Sequence, residues 1–580
     1  MKKKVFIVML IFLCLLAQSV FACIIFGAGR LATTDGSTMT SHTCDSTGDD
    51  IRLWLIPSMA AGTEREIVIN GRAGVDFTNF PEVKEYGTRG VVADTYINDK
   101  DTYKYLHAMY SFANEKGVTM TESTCGTTRA QRTVFQKYTG LWDCYMLQDA
   151  ALENCATARE AVEFMGKKIT EQGWYGSPET MTIGDGTDLW VFEAYGGNMW
   201  CAFLLPEDAV FVCANRSRIN YYVEDDPDHY QHAPNMLQFA KDEGLWDGEN
   251  VEKFNPCKTF AAGNYGFSCV GREWRAITTL APLQYPELVA DEDMAVTPNP
   301  DDDLPLWVVP DEKVSVDTIR DLCSDAYEGT KYDLTKTADA GRYGNILAGS
   351  YQNRPTNVPQ CTYFQISNVK AWLPEEARCL VWFGWGAPST TYLVPMFASA
   401  DYIDPKFNKG LRSTPDAENS SWWNESNVQV ASMLNYADAI QVIDSYREPL
   451  MAEQYEITFA VQNTAAKLIA EGNREEAIDL LTTYSYQQAN MWYDLYKDLT
   501  MELLGRYATG RTLFKTSATP NGTQWWNKVK AAVDAINAEE REAAANGTAE
   551  PAQQQTAPQG APQGAPQGAP QGAPTTPPQN

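Results

Sequence analysis

Cys23-Ile24-Ile25-Phe26-Gly27-Ala28-Gly29, then Thr33-Thr34-Asp35-Gly36-Ser37, then Thr38-Met39-Thr40-Ser41-His42-Thr43-Cys44-Asp45, is the stretch on which the fold turns. Ile24 to Phe26 is an apolar run that enters a sheet. The Thr-Asp-Gly-Ser segment has turn chemistry, and Thr38 onward reads as the return strand. A hairpin of this size is predicted to bring Asp45 back beside Cys23. Upstream, Met1-Lys2-Lys3-Lys4 precedes an almost wholly apolar run from Val5 to Ala17, with Val20 and Ala22 at the −3 and −1 positions of a cleavage site. This is the pattern of a signal peptide over residues 1–22, too short for a spanning helix, and it predicts a secreted or periplasmic protein.

Cleavage after Ala22 makes Cys23 the first residue of the mature chain. A free thiol has a pKa of about 8.5 and an α-amine one of about 7.7–8.0. The amine of such a residue is therefore close to neutral at working pH and can take the thiol proton. One residue supplies both nucleophile and general base. Asp45 would hold the terminal amine by a charge-assisted hydrogen bond. The same junction admits two other readings. One is an uncleaved anchor, which the well-formed cleavage site opposes. The other is a lipoprotein site, which fits poorly because position −2 is the bulky Phe21. Lipidation would consume both thiol and amine and leave a non-catalytic surface protein.

Composition narrows the field further. A net charge of −29 repels phosphates, so a nucleic-acid partner is excluded on electrostatic grounds. No later segment offers the apolar length of a membrane span. Of 13 cysteines, Cys14 lies in the signal segment; setting Cys23 aside leaves an odd number, so at least one more thiol is free or pairs between chains. Export permits disulfides, but their pairing is not legible from spacing. There is no CxxC, and His229 with His232 reads as a solvated acidic loop rather than a metal site.

The chain divides by pattern. Residues 23–430 carry short β-rich runs separated by turns. Met181–Asp185, Leu189–Glu193, Met199–Phe203 and Ala209–Cys213 read as hairpins in series, preceded by a helix from Ala158 to Gln172. Over 431–546 the periodicity becomes helical. Ile457, Val461, Ala465, Leu468 and Ile469 share one face, and Gly472-Asn473 ends it. Ile478, Leu481, Trp492, Leu499 and Leu503 continue on a second helix, and a third runs from Trp525 to Ala544. Residues 547–580, with tandem Pro-Gln-Gly-Ala, predict a disordered tail. Strand clusters with grouped helices predict an α+β fold.

Several segments together resemble the dipeptidase A family of N-terminal nucleophile hydrolases, akin to penicillin V acylases and bile salt hydrolases. These are Cys23 to Asp45, Asn114-Glu115-Lys116-Gly117 through Glu122, Ile183 to Glu193 with Trp200, Ala214-Asn215-Arg216-Ser217-Arg218-Ile219, Arg272-Glu273-Trp274-Arg275, and the late strands Leu380–Gly384 and Tyr392–Pro395. The resemblance covers roughly 23–505. It implies a four-layer αββα sandwich, two antiparallel sheets face to face between helical layers, with a helical C-terminal part. It implies a cysteine dipeptidase acting on short peptides through a thioester on Cys23, or an amidase or acylase of the same mechanism on N-acylated small molecules. Asn215 would donate to the oxyanion with Asn114 assisting, Asp45 would orient the amine, and Arg272 would support the thiolate or bind a carboxylate. This chemistry requires no metal or organic cofactor. Oligomeric state, a homo-oligomer included, stays open. One departure stands out: related acylases carry Arg where this chain has His42, and Arg is a fixed charge whereas His titrates. Cys44 beside Asp45 is a second.

Overall fold

A computed structural model of the chain describes residues 23–508 apart from 47, 49, 70–90, 139, 264–265, 294–303, 338–340, 342 and 349–352. The signal segment, the helix expected from Trp525 and the Pro-Gln-Gly-Ala tail lie outside the described residues. The chain divides into two compact units, Met1–Trp526 and Asn527–Asn580, and every described residue belongs to the first. Residues on both sides of 430/431 share that unit.

The fold is mixed α and β, built on antiparallel sheets. The first sheet has seven strands in the spatial order Trp307–Val308, Val210–Cys213, Ile24–Ala28, Thr38–Asp45, Cys361–Val369, Cys379–Trp385 and Val394–Phe397. The opening hairpin is present, with Ile24 opposite Thr43 and Ala28 opposite Met39. Every residue of its two strands is buried. That follows from their central place, since neighbours flank them on both edges and both faces are covered. A second sheet of nine strands contains Tyr105–His107, Ser111–Asn114, Thr119–Met120, Ser123–Thr124, Glu179–Gly184, Leu189–Gly196 and Met199–Leu204.

Side chains of the two sheets meet directly. Thr40 and Thr119 hydroxyls are 3.0 Å apart, and the Phe112 and Phe383 rings stack at 5.9 Å. Gly27 makes the approach possible: a Cβ there would stand 3.0 Å from Leu189 and 3.1 Å from Thr182. The helix Ala158–Gln172 packs on strands of the second sheet. Thr157 caps its start by accepting from Glu160 N, and Ala161, Val162, Met165 and Ile169 form its buried stripe. The helices Ser421–Ser432 and Arg474–Tyr507 contact strands of the first sheet, and Tyr436–Ala470 packs along the latter helix. Trp492 is their anchor, stacked on Tyr392 at 4.9 Å with its indole N–H donating to Gln454 at 2.6 Å.

The strand Val210–Cys213 departs from the expected series of hairpins. It leaves the second sheet and pairs with Ile24–Ala28 in the first. An all-apolar Val-Phe-Val-Cys strand has no polar face to declare its neighbour, so periodicity cannot assign its sheet. Backbone bonds from Gly29 to Ala209 and from Leu31 to Glu207 fix the crossing.

Glu425 is buried beside the first sheet, accepting from Trp385 N at 3.0 Å and from the Thr391 hydroxyl. Burial pushes its carboxyl from 4.5 up to about 8, against the pull of these two bonds. The native state thus keeps a proton that the unfolded chain releases. The associated stability is fully present below about 4.5 and is lost as pH rises through about 8. Glu425→Gln is expected to flatten that decline by on the order of 1–3 kcal/mol, read from urea unfolding across this range. An unchanged slope would reject the assignment.

Candidate active site

Cys23 stands at the head of the first strand with its thiol fully buried. The Cys23 Sγ–H donates to Glu122 Oε1 at 3.2 Å. His42 Nε2 lies 3.0 Å from the same oxygen, without the alignment of a directed hydrogen bond. Its Nδ1 is 3.1 Å from Tyr363 Oη, and the rings of Tyr110 and Tyr363 meet it edge-on. The β-period explains the grouping. His42 and Cys44 are two apart and share a face of the return strand, and Ile24 opposite Thr43 aligns Cys23 with Cys44.

The electrostatics of the cluster form one system. Burial, with Cys44 and the Glu122 carboxylate nearby, pushes the Cys23 thiol well up, so the resting sulfur keeps its proton. Burial pulls His42 down, but the attraction of Cys23 and Glu122 outweighs it and pushes the imidazole up to about 10. Glu122 is held below its ordinary range: burial opposes ionisation, and the His42 contact more than offsets it. Glu179 is pushed well up by burial and by repulsion from Glu122, so it holds a proton beside that carboxylate. Around Glu122 the cluster therefore gathers a protonated Glu179 and an imidazole whose charge is favoured most by ionisation of the Cys23 sulfur and then by Glu122.

Three of the expected site residues form one chain of bonds. Arg272, on the helix Phe267–Leu280, donates from Nη1 to Cys23 O at 2.9 Å and from Nη2 to Asn215 Oδ1 at 2.8 Å. The second bond fixes the orientation of the Asn215 amide, whose nitrogen donates to Thr124 O at 3.1 Å. Asn215 adopts φ 61°, a left-handed conformation that Asn tolerates better than most residues. Its loop is pinned from below by Glu273, next to Arg272, which accepts from Ala214 N at 3.0 Å and from Arg216 Nε at 2.6 Å. Glu193 holds the loop's far side through Ser217, Arg218 and Ile219.

Asp45 ends the return strand, fully buried. Its Oδ2 accepts from Arg354 Nη2 at 2.5 Å, while Oδ1 has no directed partner among the described residues. Burial raises its carboxyl to about 6, and Arg354, Arg272 and His42 restrain the rise.

Asn114 is not brought into this network. Its amide nitrogen donates to Leu152 O at 2.8 Å and Cys155 O at 2.9 Å. Its oxygen accepts from Lys116 N at 3.1 Å and Val118 N at 2.9 Å. These four bonds tie a turn to a helix end, and the expected assistance of Asn114 to the oxyanion is not among them. Asn114→Ala is expected to cost about 1–3 kcal/mol of stability while leaving kcat/KM within a few-fold. A large kcat loss at full stability would restore the catalytic role.

Glu122, Glu179 and Arg354 were not singled out by sequence reasoning. Glu122 carried a signal, being the one charge in Val118-Thr119-Met120-Thr121-Glu122-Ser123-Thr124. Arg354 carried none, because its partner is 309 positions away. The described cysteines are all free and buried, behaving as small apolar groups, so no disulfide forms among them. His229 is exposed and paired with Asp226, while His232 turns to Tyr222. Among the described residues no helix is long and apolar enough to cross a membrane.

The chain is similar in sequence to proteins named as dipeptidases or probable dipeptidases. A probable dipeptidase of Salmonella dublin is 24% identical over 394 residues, covering 67% of this chain and 84% of that protein. A dipeptidase of Bifidobacterium longum is 23% identical over 321 residues, covering 54% of this chain and 58% of that protein. A probable dipeptidase A of Streptococcus pyogenes serotype M18 is 23% identical over 482 residues, covering 79% of this chain and 90% of that protein. The sequence profile of peptidase family C69 matches residues 22–449, from the residue before Cys23 to the middle of the helix Tyr436–Ala470, and takes in Glu122, Asn215, Arg272 and Arg354. The chain belongs to peptidase family C69.

Proposed function

We propose that the chain is an exported cysteine dipeptidase whose nucleophile is Cys23, exposed as the N-terminal residue by cleavage after Ala22. The observation that carries this reading is the chain of bonds from Cys23 through Arg272 to Asn215, built on a buried strand that begins at the predicted cleavage junction. Before cleavage the nitrogen of Cys23 is an amide and cannot act as a base. Afterwards the α-amine takes the thiol proton as sulfur attacks the substrate carbonyl, and returns it to the leaving amine. A thioester forms and water then cleaves it. The free Oδ1 of Asp45 is the acceptor that orients the amine. The Asn215 amide, held in orientation by Arg272, faces the developing oxyanion. His42, as the imidazolium of its pair with Glu122, supplies the positive charge that Arg supplies in related acylases.

The layers fit the same reading. Helices on the outer side of each sheet and side-chain contacts between the sheets support a four-layer αββα sandwich. The substrates are short peptides, a reading supported by the similarity to probable dipeptidases. The test is turnover of a dipeptide panel against N-acyl amino acids by the purified mature protein. Dipeptides are expected to be cleaved with kcat/KM at least about tenfold higher. Preference for N-acyl substrates would make the chain an amidase of the same mechanism.

A further inference from the structure

We propose that Cys23, His42 and Cys44 form a binding site for Zn2+ that switches the enzyme off, a proposal that rests on Cys23 being the nucleophile at the mature N-terminus. One ligand atom from each of the three residues lies within 4.8 Å of the others, and all three residues are buried. The hairpin register produces the set: His42 and Cys44 share a face, and Cys23 stands across from Cys44. Two sulfurs and an imidazole nitrogen are the donors that tetrahedral zinc prefers. With Zn–S at about 2.3 Å and Zn–N at about 2.0–2.1 Å, the ligand atoms of such a centre need to close by roughly an ångström from the observed bound.

Three further features favour coordination. The Nδ1 of His42 is held by Tyr363 at 3.1 Å, which leaves Nε2 facing the cluster, where its partner is the Glu122 carboxylate at 3.0 Å. The α-amine of Cys23 closes a five-membered chelate with its own sulfur and completes four ligands. Glu122, within 3.2 Å of the Cys23 sulfur, supplies negative charge beside the cation. Any route that admits a dipeptide to Cys23 admits a single ion. On binding, both thiols and the His42 imidazolium give a proton to solvent, and the sulfur of Cys23 spends its nucleophilic pair on the metal. Cys44 has no step in the hydrolysis; its thiol donates to Met109 Sδ at 3.7 Å.

The test uses the mature enzyme with Co2+ as spectroscopic probe and Zn2+ as inhibitor. The wild type is expected to bind one equivalent of Co2+ with thiolate-to-cobalt charge-transfer absorption, and to lose dipeptide hydrolysis in Zn2+ reversibly on chelation. Cys44→Ser is expected to hydrolyse dipeptides normally in chelator and to need at least about tenfold more Zn2+ for half-inhibition. Absence of the charge-transfer band in the wild type would overturn the site, even if the variant failed to fold. So would equal inhibition of a folded Cys44→Ser protein. If instead Cys23→Ser hydrolysed dipeptides normally, the catalytic reading would fall, while the Co2+ band of the wild type would still report the site.

Discussion

Cys23→Ala is expected to lower dipeptide hydrolysis by at least about 10³-fold with little change in unfolding temperature. The residue carries three functions in the proposed mechanism: its sulfur attacks, its amine moves the proton, and its carbonyl anchors Arg272 at 2.9 Å. Ala keeps the amine and the carbonyl and removes only the sulfur. The loss is therefore chemical, because Arg272 and Asn215 stay bonded to each other. The space left by one sulfur in this buried strand costs about 1–2 kcal/mol. Kinetics on protein with a matched melting curve separate the two effects. Residual activity near that of the wild type would reject Cys23 as nucleophile.

Asp45→Asn is expected to reduce kcat by about 10²–10³-fold and to destabilise the fold by about 3–5 kcal/mol. Both losses have one origin. Arg354 is buried against Asp45 Oδ2 at 2.5 Å, and Arg272 acts on the same carboxylate from a greater distance. Neutralising the acid leaves two buried guanidinium groups without their shared counter-charge. The unpartnered Oδ1 is also the proposed acceptor for the α-ammonium, so its loss frees the amine to rotate. The double variant Asp45→Asn/Arg354→Met is expected to recover stability without recovering kcat. Recovery of both together would make Asp45 a structural counter-ion only.

The sequence was informative wherever a local pattern carried the information. The hairpin was legible because apolar residues, a turn and a return run lie within 23 consecutive positions, Cys23 to Asp45. The helices Tyr436–Ala470 and Arg474–Tyr507 were legible because their 3.6-residue stripe breaks at Gly472, which adopts φ 88°. Long-range partners were not legible. Asp45 meets Arg354 across 309 positions and Cys23 meets Glu122 across 99, and no local rule selects those two residues from the other charges. Asn114 shows the opposite difficulty, since a turn Asn bonded to local backbone and an oxyanion donor look alike in sequence. His42 reads as a lost Arg until the structure supplies the Cys23 sulfur and Glu122 beside it, which together push its imidazole up.

The central claim is that export leaves Cys23 as a free N-terminal residue. The most direct test is the mass of the N-terminal peptide of the exported protein. A peptide beginning Cys23-Ile24-Ile25-Phe26 with an unmodified amine and thiol is the expected result. A diacylglyceryl adduct on Cys23, or a peptide that still carries residues of 1–22, would contradict it.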